Sequence, residues 1–537
     1  MKVYNLKSKN LKGEGMKGLI CVFVFLMVFA VSGFSLVADT EPVIRSYKFS
    51  AYLDNGFLGF NNGNLTNLNE ESYLAVQNTD DRLFVALSEL GVAFEADILG
   101  IINFQADFSY GGFWGNDSLS YGSPENRLNA RYLNFDLDIA KAFFYNDGFD
   151  FNLMVGRLPY QIIDTDKHKN YIMRDVIDAV VLSVFFPSVY LGADLFADFF
   201  SLNSPTDTVY ALKSSRHDYT VDYFDGDVNI IRFGLIPKFI MDFDNNFLSL
   251  LDARPFALFT RIGATGKGHY HAGGYERSAM GFEGNYADND WVFVTGIDAL
   301  LETSVFSFLV EFGYSMGIDR RAKGFPDVNI SGILVHGSLD MDFGFVGIDW
   351  LCFGASGLYV SGAETDEYGN FINYGFVSFK GHRLGGFLFS RYYGIYPSAI
   401  INYSGIDFEP IKAARRAPVL AASANVGIDK LSFSGEEDTG LYAMFEGWVY
   451  FDTSSTSMDT NLNLQSYVYD QRRLGNFMGI EVNGDISYTL TRQILEIGTR
   501  GGIFIPMDYF FYPVSLRDAP YGTSIFWGVE VYTKLKF

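Results

Sequence analysis

The segment Ile525–Phe537, IFWGVEVYTKLKF, decides the class of fold because its apolar residues recur at every second position. Its apolar face contains Ile525, Trp527, Val529, Val531, Leu535 and Phe537, with Thr533 as the one polar interruption. Its other face contains Glu530, Tyr532, Lys534 and Lys536. Successive side chains of a β-strand point to opposite sides of the sheet. The segment therefore predicts a strand with an apolar environment on one side and a polar environment on the other.

The same alternation recurs in windows far upstream. Ile102–Tyr110, Leu133–Ile139 and Ile333–Phe343 each place apolar residues on one face and carboxylates, amides or hydroxyls on the other. A soluble sandwich also offers two environments. Two details favour a membrane: several windows are about 9–11 residues long, the length of a tilted strand that crosses a bilayer, and aromatic residues often stand near their ends. The windows predict transmembrane strands.

The C-terminal segment resembles the last strand of Gram-negative outer-membrane β-barrels, whose terminal Phe and alternate hydrophobic residues are recognised by the barrel-assembly machinery. The resemblance implies an assembly signal at Phe537, Leu535, Val531 and Val529 and a location in the bacterial outer membrane. A second stretch, GIEVNGDISY at Gly479–Tyr488 followed by Phe504-Ile505-Pro506, resembles a hairpin of alginate-export-type porins. Asn483 and Met507 depart from that pattern, where Asp and Gly are expected. This second resemblance implies a porin-like channel, without implying alginate as the solute.

Composition narrows the fold class further. Hydrophobic residues make up 48% of the 537 residues, yet the mean hydropathy is only +0.09. A bundle of transmembrane helices requires repeated apolar runs of about 20 residues, and a disordered chain would not carry 53 Phe and 34 Tyr. We therefore expect an all-β chain forming one closed antiparallel transmembrane β-barrel over residues 39–537. That length predicts about 14–18 strands, a size that leaves an aqueous lumen.

The N-terminus reads as an export signal. Five lysines precede or border the apolar run Gly18–Ala30, and small residues follow it. Residues 1–38 are predicted to be a signal peptide cleaved near residues 33–38; an uncleaved membrane anchor is the alternative. Its removal leaves 35 basic and 62 acidic residues, a net charge of −27. Such a chain repels nucleic acid, and with Cys352 as the remaining cysteine no intramolecular disulfide can form.

Motifs for catalysis and cofactor binding are not found. Gly263–Gly268 lacks the P-loop spacing, Asp242–Asn246 lacks the glycine and glutamate of an EF-hand, and His269-Tyr270-His271 has no third metal ligand nearby in sequence. The sequence predicts no enzyme activity, no cofactor and no metal site.

Inward-facing residues follow from the alternation. The predicted pore-lining set is Asn103, Gln105, Asp107, Asn134, Asp136, Asp138, Asp340, Asp342 and Glu446. Carboxylates around a pore favour cations, so we expect a preference for cations or neutral solutes. The alternative is that arginines from loops folded into the lumen pair with these carboxylates and form a constriction. The candidate arginines are Arg320, Arg321, Arg415, Arg416, Arg472 and Arg473.

Tyr442, Trp448 and Tyr450 also fall on the predicted inward face. They could guide sugars by stacking, although a register displaced by one residue, which would place them in an interfacial girdle, is the commoner explanation. The segments Asp164–Asp175 and Gly362–Asn370, among others, are predicted to be surface loops.

These features predict a porin-like channel for passive diffusion of small hydrophilic solutes. The alternative from a different class is an adhesin or structural barrel whose loops bind external partners. Expected partners are outer-membrane lipid, the assembly machinery and the solutes. A homo-oligomer is compatible with the porin resemblance, and nothing in the sequence specifies one.

Overall fold

The computed structural model describes residues 44–61, 83–115, 127–144, 148–165, 167–202, 228–243, 247–266, 269–271, 274–276, 286–319, 327–362, 364–365, 371–379, 381–390, 395–396, 415–416, 419–431, 439–453, 476–490, 494–507 and 525–536. The predicted signal peptide of residues 1–38 and the terminal Phe537 lie outside these ranges.

Eighteen long strands, β1–β18 in chain order, make up most of the described chain. They are Ile44–Asn61, Leu83–Ile98, Ile102–Gly115, Arg127–Asp138, Asp150–Gln161, Arg174–Phe186, Leu191–Leu202, Val228–Asp242, Leu248–Gly266, Tyr286–Thr303, Phe306–Asp319, Val328–Asp342, Leu351–Val360, Val419–Leu431, Gly440–Asp452, Phe477–Leu490, Leu495–Pro506 and Phe526–Lys536.

Each strand pairs antiparallel with the next, and the sheet closes on itself. The closing ladder joins β1 to β18, with Leu53 opposite Leu535 and Phe57 opposite Val531. Closure removes the unpaired edges that a bilayer cannot satisfy with hydrogen bonds. The predicted all-β closed antiparallel barrel is confirmed, and the eighteen strands lie at the upper end of the predicted range.

Minor elements connect the strands. They comprise the hairpin of His269–His271 with Gly274–Glu276, the pair Glu364–Thr365 and Phe371–Asn373, the parallel pair Ile395–Tyr396 and Arg415–Arg416, and the helical turns Ala140–Phe144, Pro187–Val189 and Gly344–Val346. Within the described ranges, no helix is long and apolar enough to span a bilayer.

One predicted strand boundary is wrong. β4 ends at Asp138, one residue before the end of the predicted window Leu133–Ile139. The Asp138 carboxylate accepts a hydrogen bond from the backbone N–H of Lys141 at 2.9 Å, and the helical turn Ala140–Phe144 follows. A side-chain bond of this kind competes with continued strand pairing.

The two ends of the barrel differ. One end, the turn end, carries both chain termini of the barrel and connections as short as residues 99–101, 187–190 and 304–305. The other end, the loop end, carries the longer connections, including residues 203–227 and 361–418. Short turns on one side and long loops on the other are characteristic of outer-membrane barrels.

The exterior is apolar. In β18 the side chains of Trp527, Val529 and Val531 are each nearly half exposed, whereas the intervening Glu530 and Tyr532 are buried. Exposed apolar residues of the same kind recur on most other strands, and exposed aromatic residues surround the turn end at Tyr47, Phe143, Phe144, Phe186, Tyr190, Phe247 and Trp350. A soluble monomer rarely exposes an apolar surface of this extent. The fold and its exterior define a transmembrane β-barrel.

The buried apolar residues lie inside the barrel. Two connections turn inward from the loop end: residues 162–165 and 167–173, between β5 and β6, and residues 374–379 and 381–390, between β13 and β14. We call them the first and second inward segments. Tyr171, Ile172 and Met173 of the first and Phe376, Val377 and Phe379 of the second are almost completely buried. The prediction that Asp164–Asp175 forms a surface loop is therefore wrong for residues 168–173.

Candidate functional site: a lumen with two unlike walls

The first inward segment is held by a buried carboxylate of the wall. Glu311 on β11 accepts hydrogen bonds from the backbone N–H of Tyr171 at 3.0 Å and, more weakly, of Ile172 at 3.4 Å. The same carboxylate lies 2.7 Å from Nδ1 of His336 on β12, and the Tyr171 ring stands edge-on against that imidazole. All of these groups are buried. Glu311 satisfies backbone donors that would otherwise be unpaired in a dry interior.

His168 attaches the same segment at a second point. Its Nε2 lies 2.8 Å from the Ser307 hydroxyl on β11, and its Nδ1 lies 2.8 Å from the Ser338 hydroxyl on β12. Burial, with smaller contributions from His336 and Lys167, lowers the pKa of His168 to about 4. The imidazole is therefore neutral at neutral pH, where a hydroxyl can serve each ring nitrogen as donor or acceptor.

The second inward segment is attached to β15 and β16. Glu481 accepts the backbone N–H of Leu388 and the hydroxyl of Tyr450, each at 2.6 Å. Phe389 stacks on the Tyr450 ring with the centroids 4.1 Å apart and the planes nearly parallel. Arg232 on β8 lies 5.1 Å from the ring of Phe379, so the segment contacts both sides of the lumen.

The two segments also bind each other. The backbone N–H of Asn170 donates to Nδ1 of His382 at 2.7 Å, and the backbone N–H of His382 donates to the carbonyl of Asn170 at 2.6 Å. Lys169 donates to the carbonyl of Gly385 at 2.9 Å and lies over the ring of Trp448. Burial, followed by the charge of Arg174, lowers the pKa of His382 to about 3.

The wall behind these segments is buried and largely apolar. From β9 to β13 the inward side chains include Phe256, Leu258, Val292, Val294, Leu309, Leu334 and Leu358, all of them buried. Apart from buried polar side chains such as Glu311 and His336, these strands are apolar on both faces, because the outward side meets lipid and the inward side meets the segments.

The opposite wall, on β1–β4, on β18 and on the parts of β16 and β17 that the second inward segment does not cover, carries partly exposed charges. Arg131 on β4 donates to the Tyr52 hydroxyl and lies 3.9 Å from Asp107, and Tyr52 in turn donates to Glu89 at 3.2 Å. These four side chains are all partly accessible, in contrast to the apolar wall. They form the first charged group of this wall.

A second charged group continues around the closing strands. Arg500 on β17 contacts Glu530 at 2.6 Å, and Lys534 on β18 contacts Glu496 at 3.1 Å. Tyr532 lies between these two cations and donates to Asp485 at 3.2 Å. Arg131, Arg500 and Lys534 on this wall are therefore each accompanied by a carboxylate.

The predicted pore-lining residues lie at different places along the lumen. Asn103, Asp136 and Asp138 line an open pocket of about 500 Å³ near the turn end, together with Lys48, Glu95 and Asp97. Gln105 stands opposite Asn134 in the β3–β4 ladder, on the face that also holds Asp107. Asp340 and Glu446 are partly exposed. Asp342 is exposed at the turn end, where it accepts the backbone N–H of Gly344.

The predicted aromatic residues face inward. Trp448 and Tyr450 are buried against the second inward segment and Lys169, so the register is not displaced and the girdle explanation is wrong. Being covered, these two rings are not available to stack on a solute. The basic partners of the wall carboxylates described above come from the strands, at Arg131, Arg500 and Lys534. The side chains of the candidate loop arginines lie outside the described residues.

One buried carboxylate is left without a hydrogen bond. Within the described residues, neither oxygen of Asp298 on β10 has a partner, and the side chain is completely buried between Arg254 on β9 and Glu311 on β11 in the ladder. Arg254 is already engaged by Asp252 and by the carbonyl of Ile162. A second carboxylate beside Glu311 is therefore unfavourable.

We expect Asp298→Asn to stabilise the folded barrel by on the order of 1–2 kcal/mol, because the amide keeps the shape and removes the like charge beside Glu311. The measurement is the urea midpoint of the heat-dependent mobility shift on SDS gels. Asp298→Ala is the matched control; it removes the same charge but leaves a cavity, and should gain less. A lower midpoint for Asp298→Asn than for the unchanged protein would contradict this account.

Metal binding receives no support from the described part of the chain, where no three His, Cys, Asp or Glu side chains are grouped closely enough to hold an ion.

No family model matches the chain, and no curated protein matches it. Among solved structures it is similar to OccK11 (OpdR) of Pseudomonas aeruginosa, at 11% identity and a TM-score of 0.41, over 93% of this chain and 97% of that chain. It is also similar to OpdK of the same organism, solved with vanillate, at 9% identity and a TM-score of 0.43, over 92% of this chain and 100% of that one.

Proposed function

We propose that the protein is an outer-membrane channel through which small hydrophilic solutes diffuse passively. The observation that carries the proposal is the division of the lumen into two unlike walls. One wall is sealed by the inward segments. The other keeps charged side chains such as Arg131, Asp107 and Lys534 partly exposed within an eighteen-strand barrel. Barrels of 16–18 strands are wide enough to leave a water-filled passage.

Export and assembly complete this proposal. Residues 1–38 would direct the chain across the inner membrane, and the alternate residues Val529, Val531 and Leu535, with Phe537, would serve as the signal for barrel assembly. Trp527, Val529 and Val531 face outward, the side from which an assembly factor would meet the strand.

A preference for cations follows from the balance of charge on the accessible wall. Asp136, Asp138, Glu95 and Asp97 outnumber the lysines around the pocket at the turn end, which are Lys48 and Lys141, the latter paired with Asp138 at 3.0 Å. Such a cluster raises the local concentration of cations and lowers that of anions. Farther along the wall, Arg131 and Lys534 are each paired with carboxylates. The electric field of these pairs is directed across the passage and favours neither cations nor anions.

The basic experiment is the current through planar lipid bilayers after addition of refolded protein lacking residues 1–38. We expect discrete steps of current, and a reversal potential in a salt gradient that indicates a preference for potassium over chloride. Absence of steps from protein that shows heat-dependent mobility on SDS gels would refute the channel. Steps with a preference for chloride would refute only the cation preference.

The rate at which Cys352 is chemically modified reports the electrostatic potential of the lumen at one position. Cys352 is partly exposed on β13, opposite Asp342 in the ladder and within the electrostatic influence of Asp340 and Asp429. At low salt we expect a trimethylammonium methanethiosulfonate to modify it faster than a sulfonate analogue, by on the order of tenfold. Asp342→Asn should reduce that ratio, and high salt should reduce it further. Equal rates in low salt, or no modification of Cys352, would contradict a cation-attracting, water-filled passage at this position.

A further inference from the structure

Three of the six histidines of the chain lie where the inward segments meet the wall or each other. His168 belongs to the first inward segment, His382 to the second, and His336 to the wall strand β12. All three are engaged by short hydrogen bonds. Histidine is the side chain whose ordinary pKa, about 6.5, lies nearest neutrality, so a docking surface built on it is sensitive to acid.

The contact between Asn170 and His382 shows which protonation state the docked segments need. A backbone N–H can only donate, and that of Asn170 points at Nδ1 of His382 from 2.7 Å. Nδ1 must therefore carry a lone pair, and the ring must be neutral. Adding a proton to Nδ1 would set two N–H groups against each other. The carbonyl of Asn170 also lies 3.0 Å from Nδ1, but a protonated Nδ1 could donate to it only if the N–H of Asn170 gave up Nδ1 as its acceptor.

The charges around both imidazoles oppose protonation. Those acting on His382 are Arg174 on β6, Lys169 on the first inward segment and His336 on β12, and together with burial they outweigh the hydrogen bond with Asn170, which raises the pKa. His168 is acted on by His336 and by Lys167 of its own segment. On the strands packed against His168, Ser307 and Ser338 supply only neutral hydroxyls. The carboxylate nearest to this cluster, Glu311, is already occupied by His336 and two backbone amides.

We propose that the two inward segments form an acid-opened gate: they stay docked while His168 and His382 are neutral and leave the lumen when these imidazoles take up protons. This inference rests on the proposed channel function. Release would uncover the apolar wall at Val294, Leu309 and Leu334 to the lumen and widen the passage. The barrel would remain closed, because its ladder runs between the strands.

The direction and range of pH follow from linkage. Docking lowers the pKa of His168 to about 4 and that of His382 to about 3, whereas a released histidine titrates near 6.5. The released state therefore binds more protons between these values. Docking is fully favourable above about pH 6.5 and weakens as pH falls, by up to about tenfold per pH unit for each histidine. At about pH 4.5, each histidine shifts the equilibrium toward release by nearly a hundredfold.

The test is single-channel conductance of the refolded protein in about 1 M KCl, where the charge of the lumen is screened, at pH 7 and at about pH 4.5. We expect a larger conductance state to become populated at the lower pH. Protonation of the lumenal carboxylates alone would lower the current of a cation-preferring pore, so the two effects have opposite signs. Absence of any channel at either pH would refute the proposed function. Steps at pH 7 with no larger state at low pH would refute the gate alone.

Substitutions test whether the two histidines cause the acid-induced opening. In His382→Asn the side-chain oxygen occupies roughly the position of Nδ1 and can accept the same N–H without titrating. Combined with His168→Gln, it should reduce the acid-induced population of the large state at least tenfold. Asp150→Asn, at the exposed start of β5 and away from both segments, should leave acid opening unchanged. Equal acid opening in the double variant and the unchanged protein would refute the gate.

A measurement on the protein without substitutions tests the gate independently of whether the variants fold. Hydrogen exchange of residues 167–173 and 381–390, corrected for the intrinsic effect of pH, should accelerate on acidification. Exchange of β16–β18 should not change. Protection of both segments that is the same at pH 7 and at pH 4.5 would overturn the proposal.

Discussion

Excision of residues 381–390, with a short glycine–serine bridge in their place, is expected to raise the single-channel conductance on the order of twofold or more, because it empties part of an eighteen-strand lumen. The buried residues of this stretch, Leu384, Phe387, Leu388 and Phe389, fill space in front of β15–β17. The strand ladder does not pass through them, so the barrel should still close.

The excised protein should retain heat-dependent mobility on SDS gels, which serves as the control for folding. A current unchanged from that of the full chain would mean that the stretch does not restrict the passage. A folded barrel without conductance would mean that solutes do not cross on this side of the lumen at all. Either result would refute the assignment of residues 381–390 as a constriction.

Glu481→Ala is expected to release the second inward segment without removing any of its residues. The substitution leaves the N–H of Leu388 and the hydroxyl of Tyr450 without the acceptor that each now has at 2.6 Å. Leaving buried donors unpaired costs about 1–3 kcal/mol each, so docking should weaken by about 2–4 kcal/mol in total. That corresponds to an increase of at least about thirtyfold in the released population.

Glu481→Gln is the matched control. Its carbonyl oxygen can still accept the N–H of Leu388, and its amide can donate to the Tyr450 oxygen, so one of the two donors remains satisfied. Hydrogen exchange at residues 386–390 should increase in the order wild type, Gln, Ala, together with fluctuations of the channel current. Equal exchange in all three proteins would show that Glu481 does not hold the segment.

The barrel could be predicted because the alternation that specifies each strand is contained within that strand. In β18, every second residue from Trp527 to Leu535 is apolar except Thr533, and such alternation specifies which side meets lipid without reference to any distant part of the chain. The same pattern in β3, β4 and β12 specified which carboxylates share the inward face. The strand count was predicted only as a range, because loop lengths vary from residues 304–305 to residues 361–418.

The inward segments could not be predicted in the same way. Tyr171, Ile172 and Met173 form a short apolar run without a period, preceded by charged residues that suggest a surface loop. A signal nevertheless existed in the strands that face them. Val292, Phe293 and Val294 of β10 are consecutive apolar residues, and such loss of alternation is expected where the inward face of a strand is covered by protein and not by water.

The residues that hydrogen-bond across the lumen were equally impossible to predict from the sequence. Glu311 and Tyr171 are 140 positions apart, and Leu388 and Glu481 are 93 apart. Alternation predicts the face of each residue but not the height at which a distant loop meets it, and that height decides which donor a carboxylate satisfies.

The separation between the inward segments and the strand ladder bears on how this protein can change over evolutionary time. Substitutions in residues 374–390 alter the width and chemistry of the bore while the register that joins β1 to β18 is unaffected. Substitutions at Asp107 or Lys534 alter the charge that a solute meets, also without disturbing the other wall. New selectivity can therefore arise at either wall without a new barrel.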